Sequence, residues 1–293
     1  MESAQMNILI VSKQSKYEYE REKFGLSDTD LREKYKNENA NLEAILSSHE
    51  AQLRSRAQLK ELMPNADIIS MKELTKPISG YDLVISFGGD NSFTYVSHFV
   101  GSTPLMGVNS DPTRSTGALC AWNSQDLGNV TARIMDGKYE IQEWPRLQAT
   151  IDGKTITPTT SEYFFGEKES KDMTRHVLVY RGKKYEQKNS GVVIATGAGS
   201  TGWYDSANKY LFPQGNQFSK TEKKAVFIIR EPYKPKPDEA LAGELLPGEK
   251  LIIHSLNDAH GCVSADSWEE YDFTRGQTAI VEISDKPLRV AVQ

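Results

Sequence analysis

The sequence predicts an N-terminal α/β domain with a parallel, Rossmann-like sheet, followed by a C-terminal all-β, sandwich-like domain. Three observations carry this expectation. Short, almost wholly apolar runs at 8–11 and 81–87 are of the kind that fill a sheet covered on both faces. Across 81–108 the order is strand, glycine turn, helix, strand, the rhythm of an α/β domain. Near 136–138 the character changes, and apolar and polar residues then alternate in many short pieces. The domains expected are 1–136 and 137–293; a chain of 293 residues has room for two, at about 100–200 residues each.

Taken in order, Ile-Leu-Ile-Val at 8–11 reads as a buried strand bounded by Asn7 and Ser12. The charged stretch 13–39 gives way to 40–63, where Leu42, Ile45, Leu46, Leu53, Leu59 and Leu62 recur mostly at helical steps, so at least one long helix is expected there. A second short strand is expected at 67–71. The run 81–87 leads straight into Gly88-Gly89-Asp90-Asn91, then a helical stretch to residue 100 and another apolar run at 104–108. Beyond the change, strands are expected at 147–151, 163–165, 177–180, 192–195, 227–229, 251–254, 279–283 and 288–292. Turn pairs such as Asp152-Gly153, Arg181-Gly182 and Pro247-Gly248 separate them. Pro232, Pro235 and Pro237 mark a stiff surface loop.

Composition narrows the function classes. With 38% hydrophobic and 26% charged residues the chain can bury a core without staples. A net charge of −5 offers no global basic surface, so no nucleic-acid partner is expected. No apolar run approaches the roughly 18 residues of a bilayer span, and the N-terminus lacks signal or transit character, so no membrane partner and a cytoplasmic setting are expected. Cys120 and Cys262 lie outside any CxxC or Cys/His cluster and read as reduced, buried thiols, with no metal site.

Two turns carry chemistry. The first is Ser86-Phe87-Gly88-Gly89-Asp90-Asn91. In an open α/β sheet, ligands sit beyond the carboxyl ends of the strands. Glycines there let the backbone approach a ligand, and bare N–H groups can point at phosphate oxygens. Asp90 is placed to accept a proton from an attacking hydroxyl or to help hold a metal. A strand-ending turn with a capping Asp is the plain alternative. The second turn is Ala195-Thr-Gly-Ala-Gly-Ser-Thr-Gly-Trp203, after the apolar run 192–195. A helix is expected to start near Ser200, a good N-cap residue, and with the glycines and hydroxyls this is an anion-binding arrangement. A plain glycine-rich loop is the alternative. Trp203 is expected to pack against a sugar or base.

In order and spacing these turns resemble the signature of the NAD kinase family: a Gly-Gly-Asp-Gly turn in an α/β domain and a Thr-x-x-Gly-Ser-Thr-x-aromatic turn in a β domain. Between them, the family's Asn-Glu motif is matched by Ser161-Glu162. The segment 106–117, with Asp111-Pro-Thr-Arg114-Ser, and Lys16-Tyr-Glu-Tyr-Glu20 resemble the branch that includes mitochondrial NAD kinases. The tail 263–292 resembles the last family strands. The resemblance implies transfer of the γ-phosphate of ATP, or of another donor, to the adenosine ribose 2′-hydroxyl of NAD, giving NADP. It also implies Mg²⁺ or another divalent ion bound largely through the nucleotide, and a homodimer or homotetramer. Asp90 would contact the ribose and act as base. Ser161 and Glu162 would bind adenine and ribose; Thr201, Gly202, Trp203 and Ser206 would line the dinucleotide site; Gly88, Gly89, Gly199 and Ser200 would face the donor phosphates. Asn109, Asp111 and Arg114 lie on a loop able to reach the ligand, with an Arg114–Asp111 salt bridge as the alternative. Glu167 and Asp266 read as structural.

Two positions depart from the family pattern. Asn91 stands where the family has glycine; Asn tolerates a left-handed backbone, and its side chain would either hydrogen-bond a phosphate or block one. Ser161 stands where the family has asparagine, offering one hydroxyl in place of an amide. They keep open a catalytically lapsed NAD(P)-binding protein. A lipid kinase of the diacylglycerol or sphingosine type, which shares the Gly-Gly-Asp turn, is the other alternative; the 200–203 turn and Ser161-Glu162 argue against it.

Overall fold

The structure is a computed structural model and describes residues 6–211, 217–258 and 260–293. The chain divides into two compact units, Met1–Ile141 with Arg289–Gln293, and Gln142–Leu288.

The first unit opens with β1 (Ile8–Ser12), buried along its whole length. The charged stretch after it folds as separate helices, α1 (Lys16–Phe24), α2 (Asp28–Asn37) and α3 (Leu42–Leu62). Each start is fixed by a polar cap. Ser15 accepts from the Glu18 N–H while Glu18 accepts from the Ser15 N–H, a reciprocal capping box; Ser27 and Asn41 accept from the amides three residues on. Tyr17, Leu31 and Tyr35 form the small core of this helical layer. Then follow β2 (Asp67–Ser70), β3 (Leu83–Gly88), α4 (Asp90–Ser97), β4 (Leu105–Asn109), β5 (Trp122–Asn123), α5 (Leu127–Met135) and β6 (Glu140–Trp144), on which the chain passes into the second unit.

The sheet has the order β2-β1-β3-β4-β19-β6, where β19 is Leu288–Val292, with β5 also on β4. β1 runs parallel to β2 and β3, and β3 runs parallel to β4. The strand β19 (Leu288–Val292), read from the sequence as part of the C-terminal domain, instead lies parallel to β4, with Val290 opposite Leu105. A run of Leu-Arg-Val-Ala-Val suits either sheet, and alternation alone does not choose between them. From β1 the chain winds to β2 on one side, then crosses to β3 on the other. The β1/β3 pair is therefore the switch point of the sheet, where open α/β folds bind ligands.

The second unit is a sandwich of two six-stranded antiparallel sheets. Its strands in chain order are β7 (Leu147–Ile151), β8 (Lys154–Thr155), β9 (Glu162–Glu167), β10 (Thr174–Tyr180), β11 (Lys183–Asn189), β12 (Val192–Ala195), β13 (Ala225–Ile229), β14 (Ala242–Leu245), β15 (Leu251–Ser255), β16 (Gly261–Ala265), β17 (Glu269–Asp272) and β18 (Thr278–Ile283). One sheet is ordered β11-β10-β15-β18-β7-β8, the other β14-β13-β12-β9-β16-β17. Inward residues of both, among them Leu178, Ile253 and Val281 from the first and Tyr163, Phe165 and Phe227 from the second, form one core. Helix α6 (Trp203–Leu211) covers the outer face of the second sheet against Val193, Val226 and Ile228. Covered on both faces, β12 needs its unbroken Val-Val-Ile-Ala run, whereas β7 alternates.

Both cysteines are free thiols, and burial pushes Cys262 up to about 11. No described helix is long and apolar enough to cross a membrane.

Candidate functional site

In the first unit, parallel β1, β3 and β4 deliver three loops side by side at their carboxyl ends. The Lys13 N–H donates to Phe87 O and the Ser110 N–H to Gly88 O, both at 3.0 Å, so the loops are tied together as they leave the sheet. Gly88 ends β3. A Cβ there would lie 2.3 Å from Ser92 Oγ, in collision with the first turn of α4. Gly89 caps α4 with extended backbone, and Ser115 Oγ stands 3.0 Å from where its Cβ would be.

Asp90 is the first residue of α4, inside the helix and not its cap. Its Oδ2 accepts from the Ala118 N–H at 3.0 Å and its Oδ1 from the Leu119 N–H at 2.7 Å. A carboxylate has about four acceptor sites, so two bonds fix its orientation and leave room for another donor. Asn91 corrects an expectation. It sits in the second position of α4 with ordinary helical backbone and does not take the left-handed form. The chain turns at Gly88 and Gly89 and is already helical at 90, so residue 91 has no steric need of glycine.

Asn109 is buried at the end of β4 and shapes the loop that follows. Its Nδ2 donates to Ser115 O at 2.8 Å and its Oδ1 accepts from the Asp111 N–H at 3.1 Å. Asp111 accepts the hydroxyls of Ser48, on α3, and Thr113. Arg114 is exposed, and among the described residues it makes no ion pair, so the salt bridge to Asp111 does not form.

In the second unit, the turn after β12 is stitched to the start of β9. The Thr196 hydroxyl donates to Thr160 O at 2.6 Å, and the Thr196 N–H donates to Ser161 O at 2.9 Å. A Cβ at Gly199 would lie 2.3 Å from Ser161 O and 2.9 Å from Glu162 Oε2, so the close approach of turn to strand requires glycine. Ser161, Glu162, Gly199 and Ser200 are thereby brought together. Asp266 holds the same segment from below: its carboxylate accepts the N–H groups of Thr160, Ser161 and Glu162 at 2.8, 2.8 and 2.9 Å. Glu167, also buried, accepts the His260 N–H.

Glu162 is the most perturbed carboxyl of this turn. Burial pushes it up to about 7; a Ser161 hydrogen bond works against that and the charge of Asp266 adds to it. Its Oε2 is enclosed and has no hydrogen-bond partner among the described residues. A buried acceptor without a partner marks a place where a donor belongs.

Ser200 departs from its expected place. Residues Gly199–Thr201 form a single 3₁₀ turn and α6 begins at Trp203, so Ser200 does not cap the helix. It is fully enclosed, its Oγ donating to Gly197 O and accepting the Phe218 N–H. Thr201, Gly202 and Ser206 are exposed. Trp203 stacks on Phe164, with ring centres 4.9 Å apart, and the Arg230 guanidinium lies 5.1 Å from its ring centre. Trp203 thus packs on protein through these two contacts. Thr196 and Lys13 were missed in the sequence, although each is the polar residue closest after a buried strand end.

The comparisons with known proteins bear on these turns. No family model matches the chain. It is 26% identical over 253 residues to the probable NADH kinase of Oryza sativa subsp. japonica, covering 75% of this chain and 73% of that protein. Among solved structures, yeast NADH kinase complexed with NADH has a TM-score of 0.70 at 16% identity, over 100% of this chain and 84% of that one. An Archaeoglobus fulgidus NAD kinase in complex with ATP has a TM-score of 0.65 at 15% identity, over 97% and 92%. At those identities the structures establish the fold. The fold expected from the sequence is the one they share with this chain, and the resemblance to the NAD kinase family holds in both comparisons.

Proposed function

We propose that this chain, akin in sequence and fold to the NAD kinases, transfers the γ-phosphate of ATP to the adenosine ribose 2′-hydroxyl of NAD, or of its reduced form, to give NADP or NADPH. The observation that carries the reading is Asp90, a carboxylate fixed by two backbone N–H groups beside two glycines at the switch point of a parallel sheet. Asp90 accepts the 2′-hydroxyl proton as that oxygen bonds to the γ-phosphorus and ADP leaves. Gly88 and Gly89 offer the donor phosphates a backbone without side chains of its own, with the Ser92 and Ser115 hydroxyls beside it. Glu162 supplies its unpartnered oxygen to a nucleotide hydroxyl, and Ser161 replaces an amide in adenine recognition. Gly199 and Ser200 act by shaping the turn, and Thr201, Gly202, Trp203 and Ser206 are the part of it nearest solvent.

Mg²⁺ belongs to the proposal as neutraliser of the donor's charge. Among the described residues no three His, Cys, Asp or Glu side chains converge, so the ion would be held mostly by the donor's own oxygens. A cytoplasmic setting and a homodimer or homotetramer are also proposed.

The test is NADP formation from NAD, ATP and Mg²⁺, followed with an NADP-specific dehydrogenase. Asp90→Asn should lower kcat by roughly 10²–10⁴-fold. Measurable NAD binding with no product from NAD or NADH would sink the kinase reading and leave a binding protein. The helical backbone at Asn91 speaks against that outcome, since this departure leaves the turn undistorted.

A further inference from the structure

We propose that Asn109 is a positioning residue for Asp90: its buried amide sets the turn at Gly117, from which two backbone N–H groups hold the Asp90 carboxylate. The proposal rests on the kinase reading only for the role of Asp90 as base; the placement of the carboxylate stands apart from it.

Asn109 ends β4 and is 4% exposed. Both ends of its amide are engaged by the loop that follows. Nδ2 donates to Ser115 O at 2.8 Å and Oδ1 accepts from the Asp111 N–H at 3.1 Å, so residue 115 is drawn back to the end of the strand. Gly117 comes next, in the left-handed region at φ +61°. A Cβ built on it would lie 2.4 Å from Asn109 Nδ2 and 2.9 Å from Asn109 Cγ. The conformation and the close approach both require glycine. The two residues after this turn are the ones whose N–H groups reach Asp90, Ala118 to Oδ2 at 3.0 Å and Leu119 to Oδ1 at 2.7 Å. The Cys120 N–H closes the turn on Gly117 O at 2.9 Å.

The far side of the turn is fixed as well. A Cβ on Gly107, in β4, would lie 3.0 Å from Cys120 Cα, 3.1 Å from Leu119 O and 2.9 Å from the ring of Phe93 on α4. The turn is thus held between packed backbone and the Asn109 amide, and the amide is the polar member of that clamp. A carboxylate bonded through both oxygens follows the N–H pair that holds it. Misplacing a reacting group by about 1 Å costs about 10²-fold in rate. Ser110 O, by contrast, accepts the Ser124 hydroxyl at 3.1 Å, a contact on the same loop that does not reach the turn.

The experiment is steady-state turnover of Asn109→Ala, Asp90→Asn and the double variant, with amide exchange at Ala118 and Leu119 followed by NMR. Asn109→Ala should lower kcat roughly 10–100-fold while KM for NAD and for ATP stays within about threefold. The double variant should turn over no more slowly than Asp90→Asn alone, because the amide acts through that carboxylate. Exchange at Ala118 and Leu119 should quicken in Asn109→Ala by more than exchange at Ile10 in β1, which reports opening of the whole unit. Ser124→Ala should change neither kcat nor these amides. Asn109→Asp keeps the side chain's size and the bond from the Asp111 N–H, loses the donor to Ser115 O, and should quicken the same two amides; it carries the exchange test where the alanine variant does not fold. A raised KM with kcat preserved, or losses that add in the double variant, would make Asn109 a ligand contact and overturn the proposal. Amides at 118 and 119 that exchange as in wild type in both Asn109 variants would overturn it as well, even with wild-type NADP formation intact. Wild type that forms no NADP, with both amides quickened in the variants, would reject the kinase reading and keep the placement of Asp90.

Discussion

Asp266 offers the most direct quantitative test. Its side chain, 5% exposed, accepts three consecutive backbone N–H groups at the start of β9. In Asp266→Ala all three lose their acceptor inside the protein. Leaving a buried donor unsatisfied costs about 1–3 kcal/mol each, and water entering the space of the lost carboxylate recovers part, so a loss of about 3–5 kcal/mol is expected. Asp266→Asn keeps one oxygen for two of the donors and sets an amide against the third, for a loss of about 1–3 kcal/mol. Urea unfolding followed by tryptophan fluorescence reads both values. Amide exchange at Thr160, Ser161 and Glu162 should quicken in step with them. Removing the negative charge should also lower the Glu162 pKa, since Asp266 is one of the groups that raises it. A loss below about 1 kcal/mol in the Ala variant, with exchange unchanged, would refute the view that Asp266 holds this segment.

Other outcomes follow from the same geometry. Glu162 is raised from 4.5 to about 7, so its contribution to stability is full below pH 4.5 and lost as pH rises toward 7; Glu162→Gln should flatten urea midpoints across that window, and an unchanged slope would contradict it. Gly199→Ala forces a methyl against Ser161 O and should cost about 1–3 kcal/mol and weaken NAD binding by calorimetry, a neutral result being the refutation. Asn91→Gly restores the family residue at a helical position, so thermal melting should reveal a slight destabilisation, roughly 0.3–0.5 kcal/mol, with turnover unimproved; a large gain in activity would show that the Asn side chain obstructs the donor.

Much of this was legible in the chain. The apolar runs of β1, β3 and β12 named both units of the fold, and the glycine turns after β3 and β12 marked one candidate turn in each. The helices α1 and α2 were not legible as separate elements, because each buries very little, Tyr17 from α1 and Leu31 and Tyr35 from α2, too few residues to set a helical period in a charged stretch, while their starts are marked only by caps at Ser15 and Ser27. The edge strands β8, β11 and β17 are largely exposed, and their polar sequences carry no periodic signal. Ser200 looks like an N-cap, but Phe218, 18 residues further on, competes for its hydroxyl, and the helix starts later. Lys13 gained meaning only once the order of strands placed β1 beside β3, a fact of topology that local spacing does not hold.

That order has a consequence for synthesis. The first unit receives β19, an interior strand lying between β4 and β6, from residues translated only after the whole of the second unit. Until they arrive, β4 presents unpaired backbone along a hydrophobic edge, an exposure that invites association with other chains. The glycine turn and its neighbouring loops are thus made early but rest on a sheet completed late. Nascent chains stalled before residue 288 should need chaperone protection of the first unit even though its sequence up to Ile141 has long been translated.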